Sequence, residues 1–189
     1  MTTTTEKAIE RFRASAAAEG LLDVAYASAD SPFGPLLLAQ TPRGLVRVGL
    51  PNQDPDGLLE ELAGKVSPRV VEAPAQLDPA RRELDRYFAG ELRSFELPVD
   101  FSLSRGFRRR VLQGIAAIPY GETRTYTEMA SGAGNPRAVR AAGSACGSNP
   151  TPLVVPCHRV LRLSGGLGGY AGGVAMKESL LALEHEHGR

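Results

Sequence analysis

The chain has 189 residues, of which 42% are hydrophobic, and its formal net charge is +1 at pH 7. This length and composition suit a soluble globular protein of one domain or two small ones. No apolar stretch approaches the roughly 20 residues of a membrane span, and the 2 cysteines are too few for a disulfide framework.

The polar N-terminus leads into no apolar signal-peptide core, so the sequence predicts a cytoplasmic protein. The small net charge conceals a division, because residues 1–100 hold 11 Lys and Arg against 16 Asp and Glu, whereas residues 101–189 hold 11 against 5. The two parts therefore carry net charges of −5 and +6. This division predicts that a polyanion would bind the C-terminal part, although ordinary scatter of surface charge gives the same counts.

The N-terminal part predicts a small antiparallel sheet with helices. After a Thr-rich start, residues 6–18 have helical spacing. Residues 22–27, 35–39 and 45–50 are typical of short strands, and turn sequences at 31–34 and 41–44 separate them. Residues 58–63 and 79–88 have helical spacing again, and residues 92–101 form an extended connection. We therefore expect a domain boundary near residue 100.

The C-terminal part predicts a mainly helical domain. Helical spacing over 107–118 ends at Pro119, a second helix runs from residue 125 or 126 to about 131, and Pro136 starts a third helix that ends at Cys146. The second and third helices flank a Gly-containing turn, which is a helix-turn-helix pattern. The third helix consists mostly of Ala, Gly and Ser, so it suits either close approach to a nucleic-acid groove or close packing on its own core.

The run 153–160 is the most informative segment of the chain. It is apolar and partly β-branched, which predicts a buried strand, and Pro156 ends that strand just before Cys157. His158 and Arg159 follow the cysteine. A thiol reacts as the thiolate, and a neighbouring imidazole or guanidinium lowers its pKa from about 8.5. The pattern therefore favours a reactive cysteine at a strand end over an ordinary buried one.

A glycine-rich loop over 165–173 surrounds Tyr170, and residues 176–186 have the spacing of a final helix. These glycines do not lie in a strand-glycine-helix unit of the kind that binds phosphate or a dinucleotide. The 3 histidines and 2 cysteines do not have the spacing of zinc ligands. We therefore expect neither a cofactor nor a metal.

These segments resemble one known family, the O6-alkylguanine-DNA alkyltransferases, also called methylated-DNA–protein-cysteine methyltransferases. The segment 156–160, Pro-Cys-His-Arg-Val, is the most specific match. Matching segments flank it at 119–123, 126, 135–140, 149–150, 169–173 and 177–184. The resemblance is strong over residues 105–186 and weaker at 31–37 and 87–91, where the family has its N-terminal domain. It implies domains at 21–100 and 101–189, with residues 1–20 as an extension.

The resemblance also implies a role for each matching residue. Cys157 would accept the alkyl group, and His158, a water and Glu184 would form a relay that takes the thiol proton. Asn149 would brace the turn that holds the cysteine. Tyr126 would help to rotate the target nucleotide out of the duplex, and Arg140 would fill the space that the nucleotide leaves. The implied DNA-binding residues are Arg137, Ala138, Arg140 and Tyr126, and the implied pocket residues are Val160, Tyr170 and Ala171.

The function that the resemblance implies is DNA repair by direct, irreversible transfer of the alkyl group from O6-alkylguanine, and from O4-alkylthymine, to Cys157. The partner would be double-stranded DNA carrying the lesion, bound by a monomer through the minor groove, with cooperative binding along DNA left open. Two alternatives remain. One is a lesion-recognition module similar to the alkyltransferase-like proteins, which lack the cysteine that this chain has. The other is a cysteine hydrolase, although its histidine usually comes from a distant segment.

Overall fold

The computed structural model describes residues 22–188, and the predicted helix over 6–18 lies outside them with the rest of the predicted extension. The fold is α/β, as predicted. The strands are β1 (Val24–Ala29), β2 (Leu36–Thr41), β3 (Gly44–Gly49), β4 (Val70–Glu72), β5 (Arg124–Thr125) and β6 (Val160–Leu161). The α-helices are α1 (Pro55–Lys65), α2 (Pro74–Phe88), α3 (Gly106–Ala116), α4 (Tyr126–Gly132), α5 (Val139–Gly147) and α6 (Val174–His187). None of the helices within residues 22–188 is long and apolar enough to cross a bilayer.

The N-terminal sheet has the strand order β3-β2-β1-β4. The three predicted strands are present, and each pairs with its neighbour in antiparallel register. The fourth strand, β4, pairs in parallel with β1, so the sheet is mixed rather than wholly antiparallel. A three-residue strand shows too little alternation to be recognised from the sequence.

Helices cover both faces of this sheet. Helix α1 begins at Pro55, and Asp54 is its N-cap. The Asp54 carboxylate accepts hydrogen bonds from two backbone N–H groups of the first turn, which have no partner within the helix. It buries Leu62 against one face. Helix α2 packs on the other face, and the core there also contains Leu153 and Leu180 from the C-terminal part. The apolar core therefore crosses the predicted boundary near residue 100.

The edge of the sheet at β3 is covered by the connection at residues 98–100 and by one residue of the C-terminal part. Leu45 N donates to Pro98 O at 2.8 Å, and Leu45 O accepts from Asp100 N at 2.9 Å. Further along, Val48 N donates to Pro150 O at 2.8 Å. Unpaired edge groups are thus satisfied, and the sheet is tied to the turn that contains Asn149.

The predicted helix-turn-helix is formed by α4 and α5. Helix α4 starts at a capping box, in which Thr125 and Glu128 bond each other's backbone N–H groups. The third predicted helix begins at Val139, not at Pro136. Residues 136–138 form a turn instead, because Asn135 Oδ1 accepts from Arg137 N and Asn135 O accepts from Ala138 N.

The strand predicted just before Cys157 is wrong. Residues 151–155 form a turn, in which Val155 N donates to Thr151 O at 2.9 Å and Leu153 has a left-handed φ of 74°. The run is apolar because it is buried between two cores, not because it pairs in a sheet. Cys157 begins a 3-10 turn, Cys157–Arg159, and the short strand β6 follows it and pairs in parallel with β5. The cysteine therefore precedes a strand.

Candidate active site

The thiol of Cys157 is buried, with 3% of the residue exposed, and is held by a side chain from the preceding turn. Asn149 Nδ2 donates to Cys157 Sγ at 3.2 Å and to Val155 O at 2.7 Å. Its Oδ1 accepts from Thr151 N at 3.1 Å. The amide therefore uses both ends to fix the backbone around the sulfur. The structure brings Asn149 and Cys157 together, as the sequence predicted.

Burial controls the charge of this thiol. It raises the pKa of Cys157 to about 11, although the Asn149 hydrogen bond and the charge of Lys177 oppose it. The sequence predicted that Arg159 could lower this pKa, but the guanidinium points to Glu184 instead. The resting thiol is thus protonated at neutral pH, and a nearby base must remove its proton before it can attack.

His158, the next residue in the chain, has the burial and protonation that a general base needs. Its ring is fully buried, and Nε2 lies 2.9 Å from Glu184 Oε1. Because the carboxylate is charged, we assign the ring proton to Nε2, which leaves Nδ1 as the acceptor. Within the described residues, Nδ1 makes no hydrogen bond. Burial lowers the pKa of His158 despite the opposing effect of Glu184, so the imidazole is neutral and able to take a proton.

Glu184 is held in its charged form by Arg159 and by a turn. Arg159 Nε donates to Oε2 at 2.9 Å and Nη2 donates to Oε1 at 2.8 Å, which is a bidentate pair. Gly121 N donates to Oε2 at 3.2 Å from a backbone with a φ of 73°, a conformation that favours glycine. Burial by itself would raise the pKa of Glu184, but hydrogen bonds from His158 and Arg159 lower it to about 2.

Three further side chains belong to this buried network. The sequence analysis placed Arg159 beside the thiol but not on Glu184, and it gave Lys177 and Tyr87 no role. Arg159 clamps Glu184 as described. Lys177 is fully buried and donates from Nζ to Val160 O at 2.7 Å and to Leu167 O. Tyr87 donates from its hydroxyl to Glu184 Oε1 at 2.7 Å. A single charged or aromatic residue on a helix gives no sequence signal that distinguishes burial from exposure, although all three lie in segments that resemble the family.

A cleft of about 370 Å³ lies beside this network. Its lining residues are Tyr126, Gly143, Gly147, Arg162, Gly168, Gly169, Tyr170 and Ala171. Tyr170 stands edge-on to the His158 ring at 6.4 Å between centroids. A Cβ at Gly168 would lie 2.8 Å from the Tyr126 hydroxyl, so glycine is needed there for the loop to approach the ring. Three of the predicted residues, Tyr126, Tyr170 and Ala171, thus meet in one cleft.

Val160, which was predicted to line the same pocket, lies elsewhere. Its side chain is fully buried in the core formed by α3, α4 and α5. Its carbonyl binds Lys177, and its backbone pairs with Arg124. Val160 therefore anchors the strand that follows the active-site turn and is not among the residues that line the cleft.

Helix α5 presents one buried and one exposed side. Ala142, Ala145 and Cys146 are buried in the C-terminal core. Arg137 and Arg140 are exposed, and Ala138 is half-buried at the start of the helix. Packing of small residues on the core is confirmed for Ala142 and Ala145. Approach of the exposed side to a nucleic-acid groove stays a prediction.

Within residues 22–188, no group of three or more His, Cys, Asp or Glu side chains is placed to hold a metal ion. The two cysteines are both buried and free. The buried polar network contains a carboxylate, an imidazole and a thiol, which are groups that can transfer protons and supply a sulfur nucleophile.

Comparison with known proteins gives consistent matches along the chain. The family described as "6-O-methylguanine DNA methyltransferase, ribonuclease-like domain" matches residues 24–101, and "6-O-methylguanine DNA methyltransferase, DNA binding domain" matches residues 106–186. A methylated-DNA–protein-cysteine methyltransferase of Methanosarcina acetivorans is 42% identical over 163 residues, which are 84% of this chain and 97% of that protein. The protein of the same name from Mycolicibacterium paratuberculosis is 42% identical over 164 residues, 87% of this chain and 94% of its own.

Solved structures agree. The crystal structure of Mycobacterium tuberculosis OGT in complex with DNA superposes with a TM-score of 0.74 at 39% sequence identity. The match covers 86% of this chain and 94% of that one. The similarity therefore includes both the N-terminal sheet and the part that holds the buried thiol.

Proposed function

The chain belongs to the 6-O-methylguanine DNA methyltransferase family, and from that membership we propose that Cys157 is the residue that takes the alkyl group from damaged DNA. The protein repairs DNA by direct transfer of the alkyl group from O6-alkylguanine to a cysteine of its own. One observation carries the assignment to Cys157: the next residue in the chain is a buried, neutral His158, whose Nε2 lies 2.9 Å from Glu184 Oε1. Cys146, the other cysteine, is buried on α5.

The proposed reaction begins with removal of the thiol proton. His158 Nδ1 takes it from Sγ, through a bridging water, and the imidazolium that forms is stabilised by Glu184. The Asn149 amide and the charge of Lys177 favour the thiolate. The sulfur then attacks the alkyl carbon in line, forming the S–C bond while the C–O6 bond breaks. The electron pair goes to the guanine, whose developing negative charge accepts a hydrogen bond from the Tyr126 hydroxyl or a backbone amide. The guanine then takes up one proton from solvent, and the His158 imidazolium returns the thiol proton to water.

A thioether is stable, and no group in the proposed mechanism reverses its formation. Each molecule therefore acts once. O4-alkylthymine has the same alkyl–oxygen chemistry, and we propose it as a second substrate. Because every residue of the buried network comes from one chain, the protein would act as a monomer. Its thiol must stay reduced, which favours the cytoplasm as its compartment.

Access to the alkyl carbon requires the base to leave the duplex, because a stacked base cannot reach a buried thiol. We propose that the extruded base enters the cleft between Tyr126 and Tyr170. Arg140 would fill the gap in the stack, and Arg137 and Ala138 would lie against the DNA backbone on the minor-groove side. Two observations support this arrangement: both arginines are exposed, and the short side chains of α5 beside them allow close approach of the DNA.

The test is incubation with a duplex oligonucleotide containing O6-methylguanine, followed by intact-protein mass measurement and peptide mapping. We expect a gain of one methyl group per molecule, located on Cys157. An undamaged duplex of the same sequence is the control. Binding without a mass gain would support the lesion-recognition alternative, and a methyl group on Cys146 would contradict the proposed acceptor.

A further inference from the structure

Tyr87 links the N-terminal half of the molecule to the buried carboxylate. It lies near the C-terminal end of α2 and is 1% exposed. Its hydroxyl donates to Glu184 Oε1 at 2.7 Å and lies 3.5 Å from His158 Nε2. No role for this hydroxyl is needed by the transfer reaction as proposed above, so the contact calls for an explanation.

Tyr87 is fixed by packing. Its ring meets Phe95 at 5.2 Å, Phe88 at 5.4 Å and Tyr120 at 6.1 Å between centroids. Burial and the neighbouring negative charge of Glu184 both raise the pKa of Tyr87, so the hydroxyl remains a hydrogen-bond donor at every working pH. A rigid ring that cannot ionise holds its donor in one place.

The carboxylate oxygen that Tyr87 contacts is the one that faces His158. Glu184 Oε2 accepts from Arg159 Nε and Gly121 N, whereas Oε1 accepts from Arg159 Nη2 and Tyr87 and lies against His158 Nε2. The Tyr87 hydroxyl therefore shares Oε1 with the imidazole. Each additional donor reduces the charge available on that oxygen and also restricts its rotation.

We propose that Tyr87 is a positioning residue for alkyl transfer. Its hydroxyl fixes Glu184 Oε1 in the position where it accepts the hydrogen bond from His158 Nε2–H. The unprotonated Nδ1 is then the ring nitrogen that takes the thiol proton. This inference rests on the proposed function. It gives the N-terminal half a direct part in the chemistry, through one hydroxyl, beyond covering the C-terminal core.

The proposal predicts a pH effect with a defined sign. The titratable and charged groups that face His158 are Glu184 and Lys177 from α6, Arg159 and Cys157 from its own turn, Tyr87 from α2, and Tyr170 from the loop before α6. Without the Tyr87 hydroxyl, Oε1 would carry more charge and would stabilise the imidazolium. The pKa of His158 would rise, and the neutral base would be lost at a higher pH.

The test is the Tyr87→Phe variant, which keeps the ring and removes only the donor. Tyr120→Phe is the matched control, because Tyr120 packs beside Tyr87 but, within residues 22–188, its hydroxyl donates to Leu183 O at 3.5 Å and not to Glu184. Single-turnover transfer from free O6-benzylguanine is measured for each protein from about pH 5.5 to about pH 9, a range that contains the titration of histidine. Because transfer is stoichiometric, the amplitude reports the active fraction and the rate constant reports the chemistry.

We expect Tyr87→Phe to slow transfer about tenfold at neutral pH. We also expect the acid limb of its pH–rate profile to lie about 0.5 pH unit higher than that of the wild type. Tyr120→Phe should match the wild type. In a Glu184→Gln background, the additional effect of Tyr87→Phe should disappear, since the hydroxyl acts through that carboxylate.

The outcomes separate the two proposals. No transfer by the wild-type protein on either DNA or free base would contradict the proposed function itself. If the wild type transfers the alkyl group but the acid limb of the Tyr87→Phe profile lies at the same pH, only the positioning role is overturned. This holds whether or not the amplitude or the melting temperature of the variant falls. An equal effect of Tyr87→Phe with and without Glu184→Gln would also overturn it.

Discussion

The C-terminal half contains two regions that treat charged side chains in opposite ways. Around Cys157, the charged groups Glu184, Arg159 and Lys177 are buried and hydrogen-bonded to fixed partners. Arg140 on α5 and Arg137 in the turn before it are exposed, and the other residues of α5 are mostly small. Buried polar groups are costly unless every partner is in place, so the first region is rigid. Exposed arginines keep their hydration and freedom until a partner with negative charge arrives.

We propose that the two tasks of the protein divide between these two regions. Proton removal from a thiol whose pKa is about 11 needs a base at a fixed position, away from competing water. Binding to DNA needs a surface that accepts phosphate and adapts to a distorted duplex. We therefore expect substitutions in the network to change transfer from every substrate with little effect on DNA affinity. Substitutions at the exposed arginines should change binding or transfer on DNA and leave transfer from a free base unchanged.

Cys157→Ser should have the largest effect. It removes the nucleophile but little volume, so transfer should be abolished while the Kd for lesion-containing duplex stays close to that of the wild type. Intact-protein mass measures the first quantity, and fluorescence anisotropy with a labelled duplex measures the second. A parallel loss of DNA binding would show that the two regions are not separable.

Glu184→Gln should have the second largest effect, because it leaves the Arg159 guanidinium buried without a counter-charge. We expect a loss of about 3 kcal/mol in the free energy of unfolding and transfer that is about 100-fold slower. Glu186→Gln, on the exposed side of the same helix, is the control. Urea unfolding and single-turnover transfer from free O6-benzylguanine measure the two effects. An unchanged rate in Glu184→Gln would remove the carboxylate from the mechanism.

Some features of this site could be predicted from the sequence. The order of the helices follows from local patterns, and the resemblance to the family implied that Asn149 contacts Cys157 and that Glu184 contacts His158, which the structure confirms as contacts. The turn before Cys157 did not follow, because apolar β-branched residues predict a strand whether their burial comes from a sheet or from packing between cores. Only tertiary structure distinguishes the two.

The contacts between the two halves of the molecule could not be predicted from the sequence either. Tyr87 and Glu184 are 97 residues apart in the chain, and nothing in the sequence around Tyr87 indicates a charged partner. The shared core is hidden for the same reason, since the apolar residues on each side of residue 100 satisfy the spacing rules of a separate domain. Local periodicity predicts which side of an element is buried but not what it is buried against.

Arg140→Ala tests the exposed region and should have a moderate, substrate-dependent effect. If Arg140 stabilises the extruded state, transfer from duplex DNA should slow about tenfold, corresponding to about 1.4 kcal/mol. Transfer from free O6-benzylguanine, which has no stack to leave, should not change. Arg82→Ala, an exposed arginine on α2, is the control. Equal losses on the two substrates would instead indicate a defect in the cleft or in folding.

Arg137→Ala should have the smallest effect and completes the comparison. Arg137 lies in the turn between α4 and α5 and is exposed, so we expect it to contact a phosphate rather than the base stack. Its loss should weaken binding to damaged and undamaged duplexes alike, and should reduce the slope of log K against log salt by about 1. The rate of transfer at saturating DNA should stay unchanged, because a phosphate contact positions the duplex without acting on the base. Anisotropy titrations at several salt concentrations measure the slope for both duplexes. A loss of affinity confined to the damaged duplex would instead assign Arg137 to base extrusion together with Arg140. The two exposed arginines would then share one role, and Arg137 would not be a separate phosphate contact.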